Sequence, residues 1–165
     1  MIEIALYQPD IAPNAATIAR LCACFDLKLT IIEPAGFAWS DSSARRAGMD
    51  YLDHVNMRRS ASWDAFTVET LNQRKILLTT KAPLSFACFT YDRNDILLLG
   101  RESSGVPDHV HASVAHRVCI PMASGMRSLN VAISAGIVAA EAMRQLGCFE
   151  ANTIFRGDPN NPDQP

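Results

Sequence analysis

No stretch of this 165-residue chain stays apolar for longer than about six residues, far short of the roughly 20 that a bilayer-spanning helix needs. The start, Met1-Ile2-Glu3-Ile4, lacks the basic opening and long apolar run of a secretion signal, so the expectation is a cytoplasmic protein with no membrane partner. A surplus of one charge is missing too. Fifteen basic against 17 acidic residues leave a net charge of −2, which argues against gripping long nucleic acid by bulk charge. A local basic patch facing one short element is still compatible with that balance. Nowhere does G-x-x-x-x-G-K-[ST], G-x-G-x-x-G or G-x-S-x-G occur, so a phosphate loop, a dinucleotide turn and a nucleophile elbow are all absent. A nucleotide-like ligand would have to be held some other way. Metal-site spacing is equally thin. Cys22 and Cys24 sit in a helical pattern, where neighbours two apart point to different sides, and His109, His111 and His116 have no companion carboxylate or thiolate at a familiar spacing. No metal is therefore expected, and the five cysteines, an odd number, read as reduced, buried thiols.

What is there is a globular composition, 48% hydrophobic and 19% charged, in a chain long enough to bury one core. Strands and helices alternate. Ile2 to Tyr7 reads as a strand, Pro13-Asn14 opens a helix to about Phe25, and Leu27 to Glu33 is a second strand closed by Pro34 and Gly36. A short helix fits Ser42 to Gly48, a short strand Val55 to Arg58, and a helix Ser62 to Arg74 with Trp63, Phe66 and Leu71 on one side. Lys75 to Thr80, Ile96 to Gly100 and Arg117 to Met122 are near-continuous apolar strands, with a brief edge element at Phe86 to Phe89. Strands apolar throughout suit a parallel sheet covered on both faces. The fold class is therefore α/β, a mostly parallel sheet flanked by helices. One domain spans 1–149, and the polar, proline-containing segment 150–165 is expected to be a loose tail. The last helix, Ser128 to Gln145, carries a small-residue face of Ala132, Ala135, Gly136, Ala139 and Ala140. That face suits close packing on the chain's own sheet or on a second copy.

Three segments place polar residues near strand ends, where open α/β sheets hold their ligands. Asn14 follows the first strand and can cap the helix, and Arg20 lies less than two turns along it, either solvated or turned toward the strand ends. Gly100-Arg101-Glu102-Ser103-Ser104-Gly105 follows an apolar strand. Gly100 allows a ligand near the backbone, Gly105 permits a turn, and Glu102 is a carboxylate that needs a reason to be there. Ile120-Pro121-Met122 leads through a loop to Ser128-Leu129-Asn130, where Ser128 and Asn130 can cap the last helix and its amides can hold a polar ligand. Each segment alone also fits an ordinary structural use.

Their order changes the reading. Asn…Arg after the first strand, Gly-x-Glu after a late strand and Ile-Pro…Ser-Leu-Asn before the last helix resemble the three signature motifs of SPOUT RNA 2′-O-methyltransferases. Tyr7-Gln8-Pro9, Pro13-Asn14, Ile31-Ile32-Glu33-Pro34, Gly36-Phe37-Ala38-Trp39, Arg45-Arg46-Ala47-Gly48, Asp50-Tyr51 and Leu78-Thr79-Thr80-Lys81 are similar to the TrmL (YibK-like) branch, over residues 1 to about 147. That branch has Gly-Asn where this chain has Ala16-Thr17, and Gly-Pro-Glu-Thr-Arg-Gly where it has Gly100-Arg101-Glu102-Ser103-Ser104-Gly105.

The resemblance implies a C-terminal deep trefoil knot and S-adenosyl-L-methionine as cofactor. It also implies a homodimer whose sites are completed across the interface, and tRNA as partner. By motif matching, the cofactor contacts fall at Leu78, Gly100, Ile120, Met122, Ser128 and Leu129, and the catalytic positions at Arg20, Glu102 and Asn130. RNA contacts fall at Asn14, Arg45 and Arg46, with Arg58 and Arg59 as further phosphate candidates. The implied reaction is methyl transfer to the ribose 2′-hydroxyl of the wobble nucleotide, a cytidine or modified uridine. Another tRNA position, rRNA, or a non-catalytic RNA-binding dimer are the alternatives.

Overall fold

The structure, a computed structural model, describes residues 1–38 and 54–149. The expected helix at Ser42 to Gly48, with Arg45 and Arg46, and the expected tail 150–165 lie outside the described residues. The elements are β1 (Glu3–Tyr7), α1 (Ala12–Phe25), β2 (Lys28–Ile32), β3 (Asn56–Ser60), α2 (Trp63–Glu69), β4 (Lys75–Leu78), β5 (Ile96–Leu99), α3 (Asp108–Ser113), β6 (His116–Val118) and α4 (Val131–Gln145). Among the described residues the sheet has six strands in the order β3-β2-β1-β5-β4-β6, and every pairing is parallel. The α/β expectation from continuous apolar strands is met.

Alternation along each strand divides the core in two. Ile4, Leu6, Leu29, Ile31, Ile76, Leu97 and Leu99 face α1 and α4, where Ile18, Cys22, Val138 and Ala142 meet them. Ala5, Tyr7, Ile32, Leu77, Ile96 and Leu98 face the other way, onto Trp63, Phe66, Val110 and Val114. The small residues of α4 divide as well. Ala135 and Ala139 are fully buried in the domain's own core, while a Cβ at Gly136 would meet open space.

Three expectations are corrected. The helix from Ser62 stops at Glu69 instead of reaching Arg74, and its end is closed by side-chain donors that share the last carbonyls with backbone N–H groups. Lys75 Nζ donates to Thr70 O at 2.8 Å and Thr70 Oγ1 to Phe66 O at 2.6 Å. Leu71 thereby stands 79% exposed rather than on the helix's apolar side. Phe86–Cys88 forms a single 3-10 turn, bridged to the chain leaving β6 through Ser85 and Cys119. Only Cys22 is a fully buried thiol, its pKa pushed up to about 12 by burial, while Cys24 and Cys88 are exposed.

The start of α2 gives a simple stability check. Ser62 is its N-cap, and its Oγ accepts from Ala65 N at 3.1 Å. Ser62→Ala should cost about 1 kcal/mol in denaturant unfolding. A loss below a few tenths would mean that water replaces the cap at no cost.

Candidate functional site

The chain leaves β1 toward β2 on one side of the sheet, while β5 lies against β1 on the other. Such a reversal of strand order opens a crevice at the carboxyl ends of the strands. A cleft of about 610 Å³ lies there. Its size is that of a site for a small organic ligand. Its floor is apolar, with Leu77, Leu78, Val118 and Ile120, and its rim is polar, with Asn14, Glu102, Ser128 and Asn130.

The wall after β5 is a closed loop. Arg101 and Gly105 exchange backbone hydrogen bonds of 2.9 Å in both directions, and Gly105 turns at a φ of +70°. Closure brings Gly105 onto Gly100. A Cβ at Gly100 would stand 2.5 Å from the Gly105 carbonyl carbon and 2.8 Å from its Cα. No L side chain fits, so glycine is obligatory there for steric reasons, whereas at Gly105 the reason is conformational.

The opposite wall follows β6. Thr79 N donates to Val118 O at 3.0 Å, Cys119 N to Leu84 O and Phe86 N to Cys119 O, both at 2.8 Å. These bonds hold the segment after β4 and the segment after β6 side by side, so that both line the cavity.

One chain of hydrogen bonds joins all three motifs across the rim. Asn130 is the N-cap of α4, its Oδ1 accepting from Ala132 N at 2.8 Å and Ile133 N at 3.3 Å. Its amide nitrogen must then point away from the helix, and it donates to Asn14 Oδ1 at 3.0 Å. Asn14 Nδ2 donates in turn to Glu102 Oε1 at 3.0 Å, and Glu102 Oε2 accepts from Asp10 N at 2.8 Å. Asn14 thus does not cap α1, as its position had suggested. Ile11 occupies the N-cap without a side-chain bond, and Asn14 is turned to the cleft.

Residues 1–140 match the profile of the SpoU rRNA Methylase family. The chain belongs to the SpoU methylase family. A tRNA (cytidine(34)-2'-O)-methyltransferase of Beijerinckia indica subsp. indica is 54% identical over 149 residues, which are 88% of this chain and 92% of that protein. A solved structure described as giving structural insights into the 2-OH methylation of C/U34 on tRNA superposes with a TM-score of 0.85 at 37% identity, covering 90% of this chain and 97% of that one. An AdoMet-bound rRNA methyltransferase from Sinorhizobium meliloti shares the fold at a TM-score of 0.79 and 22% identity, over 88% of this chain and 56% of that one.

Within this SpoU-family chain, Leu78, Gly100, Ile120, Met122, Ser128 and Leu129 all line one cavity, together with Asn14, Glu102 and Asn130. Arg20 does not. Six residues past Asn14, it lies roughly 9 Å farther along α1 and turned about a third of the way around it, exposed and outside the lining of the cleft. Arg58 is bound to Glu3 at 3.0 Å and Glu69 at 2.7 Å, and Arg59 to Glu33 at 2.6 Å, so both carry ion pairs within the domain. Sequence reasoning missed Asp10. Its carboxylate accepts from Arg101 Nε at 3.0 Å, from the Arg101 terminal nitrogen, and from Ser103 Oγ at 2.6 Å. Arg101 first and Ser103 next hold the Asp10 pKa down to about 2, so the pair is fully ionised at any ordinary pH. The only hint in the sequence was an acidic residue just past a strand end, which has no periodic signal.

Proposed function

We propose that the protein transfers a methyl group from S-adenosyl-L-methionine to the ribose 2′-hydroxyl of the wobble nucleotide of tRNA, cytidine or modified uridine, and does so as a homodimer in the cytoplasm. The observation that carries this is the hydrogen-bond chain Asn130–Asn14–Glu102 on the rim of a cleft of matching size. The names of the relatives point the same way.

The cleft fits the donor. Gly100 packs directly on the Gly105 backbone, so this wall of the cleft is largely main chain, which suits a ligand held by backbone groups. Leu78, Ile120, Met122 and Leu129 supply apolar walls for a ring, and Ser128 a hydroxyl. When bound, the donor supplies a methyl group already made electrophilic by its sulfonium. The protein's part is orientation, which can contribute up to roughly 7–11 kcal/mol of barrier lowering. Glu102 and Asn14 fix the rim against which the ribose lies, and Asn130 ties that rim to α4. Asn14, with Arg45 and Arg46, contacts the RNA. Membership of this family implies a C-terminal trefoil knot, and Ile120, Met122, Ser128, Leu129 and Asn130 after β6 line the cleft.

Arg20 enters from the second copy. Arg20 is exposed on α1, which packs beside α4, and α4 presents Ile133 at 55% exposure and an open face at Gly136. Such a surface lets another α4 approach closely. A guanidinium carries only N–H donors and no acceptor, so Arg20 binds phosphate and stabilises the developing alkoxide, and the hydroxyl proton passes to solvent.

Labelled S-adenosyl-L-methionine, incubated with protein and with tRNA lacking the wobble methyl group, should give label at position 34. Label only in rRNA, or only elsewhere in tRNA, would overturn the substrate. Arg20→Ala and Asn130→Ala should each be inactive alone, whereas their mixed dimer should regain about a quarter to a half of wild-type activity through one intact site. No recovery would overturn the shared site.

A further inference from the structure

We infer that Asp10 is a positioning residue of the reaction, pinning the 101–103 segment so that Glu102 meets Asn14. This rests on the function proposed above. Asp10 is not in the cleft lining, yet it hydrogen-bonds three consecutive residues that are. Oδ1 takes Arg101 through two nitrogens, Oδ2 takes the backbone N of Ser103 at 3.2 Å and its hydroxyl at 2.6 Å, and the Asp10 N–H donates to Glu102 between them. Glu102 therefore has one of its two oxygens fixed by Asp10 directly, and its flanking residues fixed by the Asp10 carboxylate.

Asp10 is itself braced from behind. Gln8, two residues earlier, turns at a φ of +45° and its N–H donates to Ile32 O at 2.9 Å. Gly36 N donates to Pro9 O at 2.8 Å, and a Cβ on Gly36 would stand 3.1 Å from the Asp10 Cα and 3.3 Å from its carbonyl oxygen. The turn after β2 is thus pressed against the Asp10 backbone, where a methyl group would be a tight fit. A left-handed non-glycine residue on one side of Asp10 and a close backbone approach on the other are more than a surface ion pair requires. The Asp10–Arg101 pair is partly exposed, with side chains 19% and 37% accessible, and pairs of that kind add little to stability. Its worth lies in where it puts Glu102.

The test is a double-mutant cycle read in single-turnover methylation of tRNA. Asp10→Ala should lower the rate about 10- to 100-fold, as expected for a rim group displaced by about 1 Å. The KM for tRNA and the affinity for S-adenosyl-L-methionine should stay within about threefold, and the melting temperature should remain near that of the wild type. Added to Glu102→Ala, the same change should do nothing further, because residues acting through one another are not additive. Equal loss in both backgrounds would overturn the inference. Asp10→Asn covers the case in which the alanine variant folds poorly. Its single acceptor oxygen cannot serve both Arg101 and Ser103, so its rate should fall as well, and a wild-type rate would count against Asp10. A second readout needs no methyl transfer. Amide hydrogen exchange at 101–105 should quicken in Asp10→Ala while β1 stays protected, and unchanged exchange would also overturn the role. If the wild-type protein methylates no RNA, the proposed function falls, and this exchange measurement still decides whether Asp10 pins the segment.

Discussion

Gly100→Ala should remove cofactor binding, raising the Kd for S-adenosyl-L-methionine in calorimetry at least about 100-fold, the effect of a backbone displaced by an ångström or so. The added methyl group would lie 2.5 to 2.9 Å from the Gly105 carbonyl carbon, Cα and oxygen. All three are backbone atoms, so no rotamer change relieves the clash. The loop must open, and opening breaks the paired 2.9 Å bonds between Arg101 and Gly105. Overpacking of this kind costs roughly 1–3 kcal/mol, which denaturant unfolding would register. Gly105→Ala is the control. It meets nothing within 4 Å but sits at a φ of +70°, so it should lose about 1 kcal/mol through backbone conformation alone and leave the cavity walls in place. A Gly100→Ala protein binding the cofactor within threefold of wild type would mean that the wall after β5 is not a cofactor wall.

Glu102→Gln should lower single-turnover methylation of tRNA about 100-fold while changing unfolding free energy by no more than about 1 kcal/mol. The swap is nearly isosteric, so the argument is one of hydrogen-bond direction. Two donors face Glu102, the Asp10 N–H and Asn14 Nδ2. A carboxylate accepts both, whereas an amide offers one acceptor and turns its NH2 on the other donor. Flipping Asn14 does not help, because its NH2 would then face the NH2 of Asn130. Flipping Asn130 in turn would take Oδ1 away from Ala132 N and Ile133 N. The helix amides fix the polarity at one end and the carboxylate must receive it at the other. Glu102→Ala lacks the wrong-way donor, so it should be no slower than Glu102→Gln. Wild-type rates in the glutamine variant would show that the rim tolerates a broken link.

The sheet was readable because burial on both faces forces runs such as Ile96–Leu99 and Ile76-Leu77-Leu78 to be apolar. The helix start at Ser62 was readable, and Asn130 was one of two caps offered for a last helix that begins at Val131 rather than Ser128, because a cap is a local bond between residues two or three apart. Asn14 misled for the same reason. It sat where a cap belongs, and nothing local shows that its amide serves a residue 88 positions away. Ser128 was read both as a second cap and as a cofactor contact, and it stands in the cavity wall. Leu71 matched a helical apolar stripe, but the helix ends at Glu69, before the stripe reaches it, with the Lys75 ammonium closing on Thr70 O. The residues lining the cleft were legible as ordered motifs, while Asp10, which hydrogen-bonds Arg101, Glu102 and Ser103, carried no pattern of its own. Arg20 was legible as a motif residue, but not as one outside its own cleft.

Sequence separation also governs how the rim can fail. Its links span 88, 92 and 116 residues, from the first turn of the chain to the start of the last helix. No fragment short of nearly the whole domain holds both ends, so the binding surface exists only in the fully assembled fold. Ligand affinity and global stability are therefore linked. A molecule seated in the cleft has no partner in the unfolded chain, and it shifts the whole folding equilibrium rather than tightening one loop.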